Sequence, residues 1–236
     1  MSREILSLEE AAQQINMAVH DLKHAAQRGE IESFQRGDAW YFEHRTLDEW
    51  AQRNLLEVPS RDLKARHRLM AEERHRAGRD NWGIADLFSI ETTDLFVQAK
   101  AKGGLLRDMT DLAEKGGKVY DSEALFKELV SREEAASTAI GEGVALLHPR
   151  FHDPYLFEES FVAYGRCERP VFFGAPDGEG TKHFFLICST DHRAHLHILA
   201  RLAVLAHGSN MIAQLDEAED AQAALEIIRS CEEAFL

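Results

Sequence analysis

Two histidines in this chain stand where the local sequence would hold an imidazole rigidly. The first, His148, closes the stretch STAIGEGVALLHPR over residues 137–150. Ala139, Gly141 and Gly143 make a small-residue turn, and glycine lets backbone bend tightly and approach another group closely. The apolar run 144–147 has the length of a buried strand end, and Pro149 stops it there. The second, His195, falls in the first turn of a helix that Thr190-Asp191 opens, where N–H groups and the positive dipole end attract an anion. A histidine fixed in such a place acts as a nucleophile or proton carrier, or simply fills the core; the residues alone leave both readings open.

Metal chemistry is not expected. His152, His183, His192, His197 and His207 are the remaining candidates around His148 and His195, yet 195 and 197 point apart on a helix. No cysteine pair with ligand spacing is present in the sequence. Cys167, Cys188 and Cys231 read as reduced structural thiols.

These side chains need a scaffold. From residue 86 the chain alternates strand-like and helix-like segments: a short strand at 95–98, an amphipathic helix to 115, and a helix over 123–132 capped by Asp121 or Ser122. Strand-like runs follow at 161–164, 170–173 and 183–188, then the His195 helix to about residue 206 and a last helix over 220–234. Such alternation implies an α/β sandwich with a mixed sheet.

Residues 4–54 form a separate pattern: a helix starting at Ser7, a helix over 19–27, a hairpin around Gly37-Asp38, and a short helix capped by Thr46. Residues 56–85 read as a basic helical linker, with seven Lys/Arg against three Asp/Glu in RDLKARHRLMAEERHRAGR. The whole chain carries a formal charge of −14, which argues against nucleic-acid binding over the whole surface but leaves room for a local patch. No apolar run reaches the roughly 18 residues of a membrane span, and MSREILSLEE has no signal-peptide core, so a cytoplasmic protein is expected.

The segment 137–150 resembles the active-site segment of the mannitol/fructose/nitrogen-type (type 2) enzyme IIA domains of the bacterial phosphotransferase system. Two further matches keep the family order: Arg132-Glu133 before Ser137-Thr138, and AHLHILARLAVL at 194–205. The resemblance covers about residues 86–236 and implies a three-layer α/β sandwich with a mixed sheet. It also implies that His148 is phosphorylated by a histidine phosphocarrier protein, with His195 as second active-site histidine and Arg132 and Thr138 as phosphate donors. The phosphoryl group would be carried on histidine without any cofactor, across an anion-sized hollow between the two imidazoles. The nitrogen-regulatory branch is the better fit. Leu147 and Ala139 stand where the family has proline and glycine, so a non-phosphorylated sensor is the alternative.

The N-terminal pattern resembles excisionase/MerR-like winged helices through L-S-x-E-E-A-A, R-G-E-I, the wing aromatics Trp40 and Tyr41, and L-D-E-W. That resemblance implies DNA contacts from Lys23, His24, Arg28, Arg36 and Arg45. Residues 1–55 hold six Lys/Arg against ten Asp/Glu, so protein contact or homodimerisation is the competing reading. The expected domains are therefore 1–55, 56–85 and 86–236.

Overall fold

The computed structural model describes residues 5–15, 17–56, 83–150 and 156–234. Two compact units divide at residues 59 and 60. Most of the expected basic linker, at 57–82, lies outside the described residues.

In the smaller unit the elements run β1 (Ile5–Ser7), α1 (Leu8–Gln14), α2 (Val19–Gln27), β2 (Phe34–Arg36), β3 (Ala39–Glu43) and α3 (His44–Leu56). Ser7 caps α1 through a reciprocal box: its hydroxyl accepts from the Glu10 amide at 3.3 Å, and the Glu10 carboxylate accepts from the Ser7 amide at 2.9 Å. The three strands pair antiparallel in the order β1-β3-β2, and Leu22, Phe42 and Leu47 are fully buried beneath them. The last helix starts at His44 rather than at Thr46. His44 Nδ1 lies 3.1 Å from the Asp48 carboxylate one turn on, which carries the helix back to the end of β3.

The larger unit opens with a 3₁₀ turn (Ala85–Leu87) and continues β4 (Thr93–Val97), α4 (Lys102–Lys115), α5 (Ser122–Ala135), β5 (Ala139–Gly141) and β6 (Val144–Leu147). It ends with β7 (Phe161–Val171), β8 (Thr181–Cys188), α6 (His192–Gly208), α7 (Met211–Glu217) and α8 (Ala221–Glu233). Asp121, Asp191 and Asp220 cap α5, α6 and α8, each accepting an amide N–H from three residues on.

The five strands form a mixed sheet in the order β4-β7-β8-β6-β5, parallel at β4–β7 and β8–β6 and antiparallel elsewhere. Alternation along the strands sends side chains to opposite faces. Phe184, Leu186 and Cys188 of β8 join Ala163 of β7 against Leu105, Met109 and Leu112 of α4 and Leu125 and Leu129 of α5. On the other face Tyr164 stacks on Phe185, and α6 lies against β6 and β8 with Leu199, Leu202 and Leu205 buried. Helices thus cover both faces, as expected for the α/β sandwich.

Two expectations need correcting. The strand-like runs at 161–164 and 170–173 are largely one long strand, β7, whose register with β8 shifts between Arg166 and Val171. The helix α7 was not expected, and it is what Arg166 serves: the guanidinium donates to the carbonyls of Leu215 and Asp216. No single described helix is long and apolar enough to cross a membrane.

Candidate functional site

Parallel pairing of β6 and β8 explains why two histidines far apart in sequence meet. Leu147 is in register with Leu186, so His148 leaves the carboxyl end of β6 beside Ile187. Four residues past Ile187 the chain reaches Asp191, which caps α6 and sets His195 in its first turn. Carboxyl ends of neighbouring parallel strands are where open α/β sheets place their sites. The His148 and His195 rings lie 5.0 Å apart between centroids, tilted by 59°. Both side chains are fully buried.

The expected hollow between the rings is absent in this arrangement. At that centroid spacing two rings touch, so no phosphoryl group fits between them. The hydrogen bonds of the His148 ring define its tautomer. His148 Nδ1 is 2.8 Å from the Leu146 carbonyl oxygen. A carbonyl only accepts, so Nδ1 carries the proton and Nε2 holds the lone pair. Arg132 Nε donates to that Nε2 at 2.9 Å. Two donors would face each other if the ring were doubly protonated, so this geometry belongs to neutral imidazole. Arg132 also donates to the carbonyl of Ala136, just past the end of α5, at 2.8 Å. It is half-buried, and it covers the nitrogen that would do the chemistry.

Thr138 is placed differently from a ready phosphate donor. Its amide and hydroxyl both donate to Oε2 of Glu133, at 2.9 and 2.7 Å. Oε1 of the same carboxylate takes Lys102 Nζ at 2.7 Å, and Lys102 lies 4.8 Å from the Phe173 ring centroid. Ser137 donates to the Phe173 carbonyl at 2.9 Å and accepts from the Ala139 amide at 3.2 Å. Glu133 and Lys102 were missed as site residues; the signal for Glu133 was its place in R-E-x-x-x-S-T, five residues before Thr138. Lys102 had none.

The turn that launches β6 is held at positive φ in three successive residues, Gly141 (90°), Glu142 (52°) and Gly143 (75°). Two glycines adopt this freely, and Glu142 is tied there by its amide donating to Asp177 at 2.8 Å and its carboxylate facing His207 at 3.2 Å. At the other wall, the carboxylate of Asp191 already answers the dipole end of α6 by accepting from Ala194 at 2.9 Å.

The five residues proposed for DNA contact all lie in the smaller unit and are all exposed: Lys23, His24 and Arg28 on or just after α2, Arg36 in β2 and Arg45 in α3. Two are engaged. Arg28 makes a two-pronged pair with Glu30 at 2.5 and 2.9 Å. Arg36 stacks its guanidinium 5.6 and 5.7 Å from the Phe34 and Tyr41 ring centroids.

A mixed five-stranded sheet clad in helices, with paired histidines and an arginine at the strand ends, defines a histidine-centred α/β domain. Residues 86–231 match the family described as "Phosphoenolpyruvate-dependent sugar phosphotransferase system, EIIA 2", and the chain belongs to that family. It is 31% identical over 147 residues to the fructose-specific EIIABC component of Bacillus subtilis, a match spanning 61% of this chain but only 23% of that protein. It is 30% identical over 148 residues to a nitrogen regulatory protein of Bradyrhizobium diazoefficiens, covering 61% of this chain and 94% of that one.

Solved structures share the fold. Nitrogen regulatory protein IIA-Ntr from Neisseria meningitidis superposes with a TM-score of 0.56 at 24% identity, covering 61% of this chain and 98% of the other. The complex of enzyme IIAMTL and phosphorylated enzyme IIBMTL from Escherichia coli gives 0.54 at 19%, covering 61% and 97%. The larger domain is thus a nitrogen-regulatory IIA-like domain of the phosphotransferase system.

Proposed function

We propose that the larger domain accepts a phosphoryl group on Nε2 of His148 from the phosphohistidine of a histidine phosphocarrier protein. The observation that carries this reading is the ring's hydrogen-bond pattern, Nδ1–H held by the Leu146 carbonyl and the Nε2 lone pair facing an arginine. In the transfer, the Nε2 lone pair forms the new P–N bond as the donor's P–N bond breaks, and the departing nitrogen regains its electron pair. Nδ1 keeps its proton against Leu146. The phosphorylated ring then carries positive charge, which keeps the phosphoryl group a good leaving group for onward transfer.

Arg132 must turn off Nε2 to admit the phosphorus, and its cation then sits beside the oxygens that gather charge. Positioning and charge of this kind supply most of the catalysis in phosphoryl transfer. His195, in ring contact with His148, donates an N–H to a phosphoryl oxygen once the group has entered. Thr138 contributes through the wall it builds with Glu133.

Residues 1–55 are assigned as the winged-helix-like module that reads out this state, joined through the basic stretch 56–85 to the IIA domain at 86–236. An excess of Asp/Glu and the engagement of Arg28 by Glu30 favour a protein partner over DNA for that module.

The test uses the full chain with phosphoenolpyruvate and the purified upstream phosphocarriers, read by intact mass. One added phosphoryl group that vanishes in His148→Ala is the expected result; no added mass, or an unchanged gain in that variant, refutes the assignment. For the smaller module, a gel-shift titration across salt is decisive. Binding to duplex DNA that weakens steeply with salt would restore DNA as its partner.

A further inference from the structure

The Leu146 carbonyl is available to His148 for a reason that lies in the sheet. β5 and β6 pair antiparallel with Ala139 opposite Ala145, which places Thr138 opposite Leu146. In an antiparallel ladder the residues of a hydrogen-bonded pair exchange both N–H···O bonds. Here one of the two is made: the Leu146 amide donates to the Thr138 carbonyl at 3.0 Å. The reciprocal bond is missing, because the Thr138 amide donates to Oε2 of Glu133 instead, at 2.9 Å. The vacated Leu146 carbonyl then takes Nδ1 of His148, at 2.8 Å.

We propose that Glu133 is a positioning residue for the phosphoacceptor: by diverting the Thr138 amide out of the ladder, it frees the Leu146 carbonyl to fix His148 in the Nδ1–H tautomer. The side chain is built for that task. It is almost completely buried, its Oε2 is filled by the Thr138 amide and hydroxyl, and its Oε1 is neutralised by Lys102. It also follows Arg132 directly on α5, so the residue that settles one ring nitrogen adjoins the residue that covers the other. Glu133 touches no reacting atom in this arrangement and acts through Thr138 and Leu146. For its bearing on catalysis the inference rests on the phosphoacceptor reading above, but the tautomer itself is observable without any phosphate.

The experiment is the imidazole ¹⁵N spectrum of His148 in the full chain, assigned by comparison with His148→Ala. Wild type is expected to show protonated Nδ1 and bare Nε2; a wild-type spectrum with the proton on Nε2 overturns the proposal without any variant. In Glu133→Ala the Thr138 amide closes the ladder onto Leu146, and His148 is expected to become a mixture of tautomers. Glu133→Asp keeps a charge for Lys102 but withdraws the carboxylate from Thr138 by one methylene, and is expected to behave like the alanine variant. Glu133→Gln retains an oxygen for Thr138, while half-exposed Lys102 swings into water, so the wild-type tautomer returns.

Phosphoryl acceptance should fall by about 10-fold or more in the alanine and aspartate variants, the scale on which partners that orient a histidine act. It should recover in the glutamine variant. A folded Glu133→Ala or Glu133→Asp protein that keeps wild-type ring shifts refutes the proposal, as does a glutamine variant that fails to recover them. Should the tautomers respond as expected while wild type accepts no phosphate, the phosphoacceptor reading fails and the structural inference stands.

Discussion

Replacing Glu232 by alanine tests the reasoning about burial without any appeal to function. Its carboxylate sits on α8 and is 4% exposed, paired at 2.8 Å with Arg201 of α6, whose side chain is 3% exposed. The same two oxygens accept the backbone amides of Ile84 and Ala85 at 2.8 and 2.9 Å. One side chain thus ties the first described residues of the larger domain to its last helix and to the helix bearing His195.

Removing it leaves a guanidinium buried without its carboxylate and two amides without their acceptor. Breaking a buried pair in this way costs about 3–5 kcal/mol. For a domain of this size each kcal/mol moves the thermal midpoint by about 2–4 °C, giving a fall of about 6–20 °C. Urea unfolding of the full chain, followed by the tryptophan-independent far-UV signal of the larger domain, should show the loss. Glu232→Gln, which keeps one oxygen for the amides, should lose about half as much. A loss below about 1 kcal/mol in the alanine variant would refute the claim that this carboxylate holds the domain together.

Three further outcomes follow from the same structure. Burial pushes the His183 imidazole down to about 4, with Tyr164 hydroxyl 2.8 Å from its Nδ1. The folded value lies below the unfolded one, so the unfolded chain binds the extra proton between about pH 6.5 and 4, and stability should fall as pH drops through that window by about 1.4 kcal/mol per unit. Urea midpoints at neutral and acid pH should show a flatter slope in His183→Gln. Gly165→Ala would put a Cβ 2.5 Å from Met109 Sδ and 3.1 Å from Val97, and the overpacking should cost about 1–3 kcal/mol in the same assay. Arg132→Ala should slow phosphoryl acceptance by about 10³-fold, measured by rapid quench, while leaving the unfolding midpoint nearly in place; an unchanged rate would remove Arg132 from the chemistry.

Much of the larger domain was readable because its signals are local. The run FFLIC within HFFLIC is apolar on both faces, as suits a central strand, and the aspartate caps mark helix starts within a few residues. What escaped depends on contacts distant in sequence. The runs at 161–164 and 170–173 read as two strands, since nothing nearby shows that the carbonyls of α7 will satisfy Arg166 between them. α7 itself hid in the stretch between the His195 helix and the last helix, behind Gly208-Ser209-Asn210. His148, His195 and Arg132 were visible through motif spacing, whereas the link from Lys102 to Glu133 spans 31 residues and leaves no local trace. The expected hollow failed for a similar reason: the motif names the two rings but not their separation, which the β6–β8 register sets.

That register has a consequence for how the domain opens. His148 hangs from the end of β6 and His195 from the helix that follows β8, two neighbouring strands whose side chains from Val144 to Leu147 and from Phe184 to Cys188 are all fully buried or nearly so. Amides in such a ladder exchange with solvent only when the whole domain unfolds, while edges and outer helices exchange through smaller openings. The imidazole pair is therefore anchored in the slowest-exchanging part of the larger domain, and partial unfolding of the edge strand β4 should leave its spacing intact.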